Sequence, residues 1–290
     1  MTTGKLGFIG IGAMGSAIAS RLVTGRELYV NDLNRQAADE LVRQGATFAP
    51  TDEMAKQCRY VFLSLPGPAN VVELLLGSEG IARHFEPGTL VVDTTTGTPT
   101  TDKEIVSALA ELGVDFVDAP IAGGVKRARE GTATLMVGAS EQAFTKARDL
   151  LLAVTSDVHH VGPSGAGHAM KLVNNLLNSC NRFAALEAVR LGQAYGIDQD
   201  TVVEVINKSS SRNYTTETTF PQLLSGDSYR PQGFTLQLML KDLHLANEMA
   251  ESLGHATPIG HLVEEFTQEA IDRFGPGADQ SQLMAEWYRG

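Results

Sequence analysis

Lys5-Leu6-Gly7-Phe8-Ile9-Gly10-Ile11-Gly12-Ala13-Met14-Gly15 decides the reading of this 290-residue chain. A short β-like run at 6–9 passes into three glycines spaced Gly-x-Gly-x-x-Gly, and a helical pattern follows over 16–23. The spacing alone is a weak signal. Here Asp32 also falls at the end of the next β-like run, 20 residues after Gly12. Strand, glycines, helix and acidic residue then agree with one physical function. Gly10 permits the tight turn, Gly12 lets the backbone approach a pyrophosphate, and Gly15 lets helix and strand pack closely. Ile11, Ala13 and Met14 fill the turn, and the helix N-terminus offers free N–H groups to phosphates. A purely structural glycine turn is the competing reading.

Outward from this turn, the first 160 residues alternate β-like runs with helical patterns. The runs lie at 6–9, 27–30, 60–65, 90–93 and 115–117, and two more at 134–137 and 158–161 close this half. Helical spacing is found at 16–23, 35–43 and 103–112. Strand–helix–strand repetition predicts a Rossmann-like α/β fold, a doubly wound parallel sheet with helices on both faces. After Gly162-Pro163-Ser164-Gly165 the chain reads as helices, broken at 196, 208–212, 225–233, 254–258 and 275–277. The predicted domains are therefore 1–162, which binds the cofactor, and 163–290, all-helical and serving substrate and assembly. A helix near 166–195, roughly 45 Å long, joins them.

Asp32 should accept hydrogen bonds from the ribose hydroxyls of an adenosine, where a 2′-phosphate would meet a like charge. That favours NAD over NADP as cofactor. Arg35, three residues on, is the counter-indication, since it could reach a 2′-phosphate; a solvated Arg at a helix start is the alternative.

Composition excludes several classes. Lys plus Arg number 23 against 34 Asp plus Glu, a net charge of −11, and no basic run exceeds two residues, which argues against nucleic acid as a partner. No apolar run approaches the length of a membrane helix. Cys58 and Cys180 stand alone, which excludes a disulfide framework or thiolate metal site and points to a reducing, cytoplasmic setting. The seven histidines show no metal-ligand spacing, so no metal is expected.

Further candidates lie where strands end, because ligands gather at the carboxyl ends of strands in open parallel sheets. Leu65-Pro66 and Thr94-Thr95-Thr96 should border the nicotinamide half of a cofactor, although the threonines could simply cap the next helix. Asp118-Ala119-Pro120-Ile121-Ala122-Gly123-Gly124 ends in a glycine pair able to present backbone N–H groups to a carboxylate. Lys126, Arg127 and Arg129 add a local basic patch. On the long helix, Lys171, Asn174, Asn175, Asn178 and Arg182 share neighbouring faces, opposite Leu172, Leu176, Cys180 and Phe183. A cation near a helix N-terminus opposes the dipole, so Lys171 reads as a group recruited for chemistry. Burial or neighbouring cations would tune its amine toward general-base work. A wet polar face is the competing reading, and Lys241-Asp242 reads as a buried Lys–Asp turn or a solvated pair.

Four blocks together resemble the β-hydroxyacid dehydrogenase family, which includes 3-hydroxyisobutyrate dehydrogenase and tartronate semialdehyde reductase. They are 7–15, 118–124, Gly165-Ala166-Gly167-His168-Ala169-Met170-Lys171-Leu172-Val173-Asn174-Asn175, and Lys241-Asp242-Leu243. The segment 208–214 looks closest to the branch acting on larger diacids, such as 2-(hydroxymethyl)glutarate dehydrogenase. By this resemblance Lys171 is the catalytic lysine, Asn175 orients the substrate with Asn174 beside it, and Gly123 and Gly124 bind its carboxylate. Leu65, Pro66, Asn70, Thr96 and Lys241 match cofactor contacts. Leu33 stands where relatives using NADP carry Arg, and Ala122 stands where the family usually has Ser, which leaves the substrate open. Arg212, Asn213 and Tyr214 should share in shaping that choice. The implied reaction is NAD-dependent interconversion of a small carboxylate-bearing β-hydroxy acid and its semialdehyde or keto acid, in a homodimer or homotetramer. Two other readings stand beside it. An imine reductase would lack the lysine, and a non-catalytic NAD-binding regulator would need neither Lys171 nor Asn175.

Overall fold

The computed structural model describes residues 4–221 and 231–283. It contains two compact units, Met1–Lys171 and Leu172–Gly290.

In the first unit the strands are β1 (Leu6–Ile9), β2 (Leu28–Asn31), β3 (Thr47–Phe48), β4 (Tyr60–Leu63), β5 (Leu90–Asp93), β6 (Asp115–Asp118), β7 (Ile121–Ala122), β8 (Thr134–Gly138) and β9 (Asp157–Gly162). They form a single sheet in the order β3-β2-β1-β4-β5-β6-β8-β7, with β9 on β8. The helices are α1 (Ala13–Leu22), α2 (Asp39–Arg43), α3 (Thr51–Gln57), α4 (Pro68–Leu76), α5 (Pro99–Glu111), α6 (Gly124–Glu130) and α7 (Glu141–Val154). The interior strands are apolar on both faces, as a sheet covered on both sides requires. Along β4, Phe62 joins one buried cluster with Phe8, Val92, Ile18 and Leu150, while Val61 and Leu63 join the other with Met54, Leu75, Ile105 and Leu109.

The strands from β3 to β6 are parallel, as the alternation predicts. β8 is not, for it pairs antiparallel with both β6 and β7. The short β7–α6–β8 connection is too tight for a parallel crossover and folds the chain back beside itself. The longer passage through α7 then returns β9 parallel to β8. The stretch 35–43, read as one helix, opens as a 3-10 turn over Arg35–Ala38, because the Asn34 side chain accepts from Gln36 N and starts a tighter turn.

Register places the functional edge. Ile9 lies level with Asn31 and Leu63, Leu63 with Asp93, and Asp93 with Asp118. The turns that follow these residues therefore emerge at one edge of the sheet.

Helix α8 (Ala166–Tyr195) begins in the first unit and continues in the second. The second unit adds α9 (Gln199–Asn207), a π-helical turn (Thr215–Thr219), α10 (Leu236–Ser252) and α11 (Pro258–Phe274). These helices end at the glycine, serine and proline breaks seen in the sequence, whereas most of the break at 225–233 lies outside the described residues. Phe183, Leu186, Met239, Leu243 and Val263 form the second unit's core. Among the described residues no helix is long and apolar enough to cross a membrane.

Candidate active site

The glycine turn has the geometry of a phosphate cradle. Gly10 sits at φ +93°, and a Cβ there would lie 2.3 Å from Ser64 O. A Cβ on Gly15 would lie 1.9 Å from Gly10 O, so only glycine lets α1 approach β1 this closely. A Cβ on Gly12 would meet nothing within 4 Å. Gly12 and Ala13 are exposed, Met14 is half-buried, and Gly12 starts α1 with no side chain capping it. Open space over uncapped helix N–H groups fits a dinucleotide pyrophosphate. Asp32 braces the turn, its Oδ2 accepting from Ile11 N at 2.6 Å and its Oδ1 from Asn34 N at 2.8 Å. Leu33 is fully exposed beside it, and the Arg35 guanidinium lies 4.6 Å from the Phe48 ring centroid, a cation–π contact.

The next turns are tied together. Leu65 N donates to Thr95 Oγ1 at 3.0 Å, and Thr94 Oγ1 donates to Leu63 O at 2.7 Å. The threonine run thus links the ends of β4 and β5; the cap of α5 is Thr98, whose hydroxyl accepts from Thr101 N. Pro66 and Asn70 are exposed, and Thr96 is half-buried.

Lys171 reaches β7, the strand that runs into the predicted glycine pair. Gly123 and Gly124 both adopt left-handed backbone, at φ +123° and +77°. The Lys171 Nζ donates to Ile121 O at 2.8 Å, one residue before Ala122. Lys126, Arg127 and Arg129 are exposed on α6.

Beneath this loop lies a buried ionic network that the sequence reading passed over. His168 is 0% exposed, and its Nδ1 donates to both carboxylate oxygens of Asp102, at 2.9 and 2.7 Å. Asp118, at the end of β6, accepts from Gly165 N at 2.8 Å and from His168 N at 3.0 Å, capping the first turn of α8. Asp93, at the end of β5, stands 4.0 Å from His168 Nε2. Burial alone would lower the imidazole's pKa, but the Asp102 carboxylate, with Asp93 and Asp118, pushes it up to about 9. Burial raises Asp118 to about 6, against the pull of His168 and two backbone donors, and it raises Asp93 as well. Asp102, Asp118 and His168 are also the one group among the described residues close enough together to hold a metal ion. The carboxylates are engaged with His168 Nδ1 and with backbone N–H groups of α8, while the buried His168 Nε2 makes no hydrogen bond. Spacing could not reveal this network, because Asp93, Asp102, Asp118 and His168 come from four separate segments. The one local hint was a histidine one helical turn before Lys171.

In the second unit Asp242 is buried and holds two predicted residues. Its Oδ2 accepts from Asn175 Nδ2 at 2.6 Å, and its Oδ1 lies 3.0 Å from Lys241 Nζ. Asn174 Nδ2 donates to Asn175 Oδ1 at 3.2 Å. Of the two readings of Lys241-Asp242, the structure has the buried one, with Asp242 buried and Lys241 27% exposed. Of the residues expected to shape substrate choice, Arg212 and Tyr214 are exposed, while Asn213 is turned inward as a cap. Its Oδ1 accepts from Thr215 N and Thr216 N. Arg182 is buried, with Nη1 3.4 Å from Gln232 Oε1.

Comparison with known proteins agrees with these features. Residues 5–162 match the family described as the NAD binding domain of 6-phosphogluconate dehydrogenase. Residues 165–287 match the NAD-binding domain of NADP-dependent 3-hydroxyisobutyrate dehydrogenase. The chain is 40% identical to 2-(hydroxymethyl)glutarate dehydrogenase of Eubacterium barkeri, over 98% of this chain and 94% of that one. It is 38% identical to NAD-dependent L-serine dehydrogenase of Pseudomonas aeruginosa, over 89% of each. Among solved structures, 3-hydroxyisobutyrate dehydrogenase of Mycobacterium tuberculosis with L-serine superposes with a TM-score of 0.90 at 25% identity, covering 99% of this chain and 100% of that one. By these matches the chain belongs to the β-hydroxyacid dehydrogenase family.

Proposed function

We propose that the protein is an NAD-dependent dehydrogenase that interconverts a small β-hydroxy acid and its semialdehyde or keto acid. The observation that carries this reading is the Lys171 ammonium, held 2.8 Å from the carbonyl of Ile121, two residues before a pair of left-handed glycines. Gly123 and Gly124 present backbone N–H groups to the substrate carboxylate, where Ala122 offers no hydroxyl. Asn175, one helical turn beyond Lys171, orients the substrate. In the oxidative direction Lys171 Nζ, as the free amine, takes the hydroxyl proton while the carbinol C–H bond breaks and the new C=O bond forms. In the reductive direction Lys171 returns that proton. When bound, the nicotinamide supplies the two-electron acceptor or donor. The turn at 10–15 holds the pyrophosphate, with Leu65, Pro66, Asn70, Thr96 and Lys241 as further contacts.

NAD is the preferred nucleotide in this reading. Support comes from Asp32, whose carboxylate at the glycine turn would repel a 2′-phosphate, and from Arg35, which is engaged on Phe48. Assembly as a homodimer or homotetramer draws support from exposed apolar side chains on α8, Val173, Leu177, Leu191 and Tyr195. The unpaired Cys58 and Cys180 suit a reducing, cytoplasmic setting.

The test is a spectrophotometric screen of hydroxyisobutyrate, glycerate, threonate, serine and hydroxymethylglutarate with NAD and with NADP, on the wild type and on Lys171→Ala. We expect NADH formation with at least one acid. Lys171→Ala should turn over slower by roughly two to four orders of magnitude with its NAD affinity retained. Undiminished activity of Lys171→Ala would sink the assignment.

A further inference from the structure

The network around His168 is wholly buried and drawn from four segments, the ends of β5 and β6, the start of α5 and the first turn of α8. We propose that His168 is a positioning residue. Paired with Asp102 in a glycine-lined chamber, it locks the first turn of α8 and so fixes the point from which Lys171 projects. This rests on the dehydrogenase reading above, and it concerns a residue that touches neither substrate nor cofactor in that reading.

Three observations support it. First, the chamber is shaped around this turn. A Cβ on Gly97 would lie 2.6 Å from His168 Cε1 and from Nδ1. A Cβ on Gly138 would lie 2.4 Å from Asp118 Oδ2, and one on Gly167 would lie 2.5 Å from Met136 O. Three glycines from three elements thus leave room for the imidazole, the Asp118 carboxylate and the helix backbone. Second, Asp118 connects both sides of the lysine. It accepts from Gly165 N and His168 N on α8, and it ends the strand that leads, three residues on, to the Ile121 carbonyl held by Lys171. Third, a buried ion pair is a poor way to gain stability, since well-packed apolar residues often do as well. A pair with directional bonds does what apolar packing cannot, which is to hold a helix at one rotation and one depth. The groups facing His168 are Asp102 from α5, Asp93 from β5 and Asp118 from β6.

The test uses His168→Leu, His168→Asn and Gly97→Ala in the full-length protein, with Lys171→Ala alongside. Each is assayed for kcat and KM on the hydroxy acid found active, for NADH affinity by fluorescence titration and for melting temperature. His168→Leu should lower kcat about 100-fold while NADH affinity stays within about twofold, the cost of a misplaced catalytic group about 1 Å from its proper position. His168→Asn keeps a donor where Nδ1 was, so it should recover about tenfold of that loss. Gly97→Ala adds a methyl against the ring without removing any charge, and it should also lower kcat. It keeps the proposal testable should His168→Leu not fold. Wild-type kcat per folded molecule in His168→Asn and Gly97→Ala would overturn the proposal. So would stoichiometric metal in the wild type that His168→Asn lacks, because the cluster would then be a ligand set. Full activity of Lys171→Ala would instead remove the reading on which the proposal rests.

Discussion

Asp118 and Asp242 are both buried carboxylates that grip α8, one in each unit, and they grip it differently. Asp118 takes backbone N–H groups of the first helical turn and stands beside a buried imidazolium. Asp242 takes side chains, the Asn175 amide and the Lys241 ammonium. The first holds the helix itself; the second sets where two side chains point. Loss of a backbone cap should therefore appear as loss of folding, and loss of a side-chain bridge as loss of aim.

The sharpest way to break this comparison is Asp118→Ala. It strands two buried N–H donors and removes one counter-charge of His168, so we expect a loss of about 3–5 kcal/mol. Thermal melting should register it as a fall on the order of 10 °C. A melting temperature within about 2 °C of wild type would mean that Asp118 does not hold the helix.

Asp242→Asn should behave in the opposite manner. The amide keeps the shape but loses the charge facing Lys241, so stability should drop by no more than about 1 kcal/mol. Turnover should fall by about ten- to a hundredfold, through misorientation of Asn175. Equal damage to melting and turnover would erase the distinction between the two carboxylates.

The smallest expected effect is a pH dependence. In the folded state the surrounding carboxylates, Asp102 above all, push the His168 imidazole up from 6.5 to about 9. The folded state therefore holds this proton more tightly. The contribution is complete below pH 6.5 and is lost as pH rises through about 9. Denaturant titrations across this window should show wild-type stability declining more steeply than that of His168→Asn. Parallel curves for the two proteins would show that the imidazole carries no such charge.

The glycine turn was legible in the sequence because its physics is local. Gly10, Gly12 and Gly15 act within one strand–helix passage, and Asp32 follows at the end of the adjacent strand. The boundaries of α8 were legible for the same reason. The reversal of β8 was not, because strand direction depends on what a short connection can span rather than on the composition of the strand. The ionic network was hidden for a related reason. His168 and Asp102 are 66 residues apart, and Asp118 and Gly165 are 47 apart. Periodicity cannot see such pairs. Asp102 and Asp93 carry no local pattern that distinguishes them from other acids at a helix start and a strand end, and His168 lacks metal-ligand spacing.

The cap on α8 also bears on how the chain can be dissected. A fragment ended at residue 162, after β9, would lack Gly165 and His168, the partners of Asp118 and Asp102. It would leave these carboxylates with neither a helix N–H nor a cation to meet them, and it would open the chamber around Gly97 and Gly138 to water. An excised nucleotide-binding fragment should therefore run through Lys171, so that the first turn of a helix belonging mostly to the other unit travels with the sheet it closes.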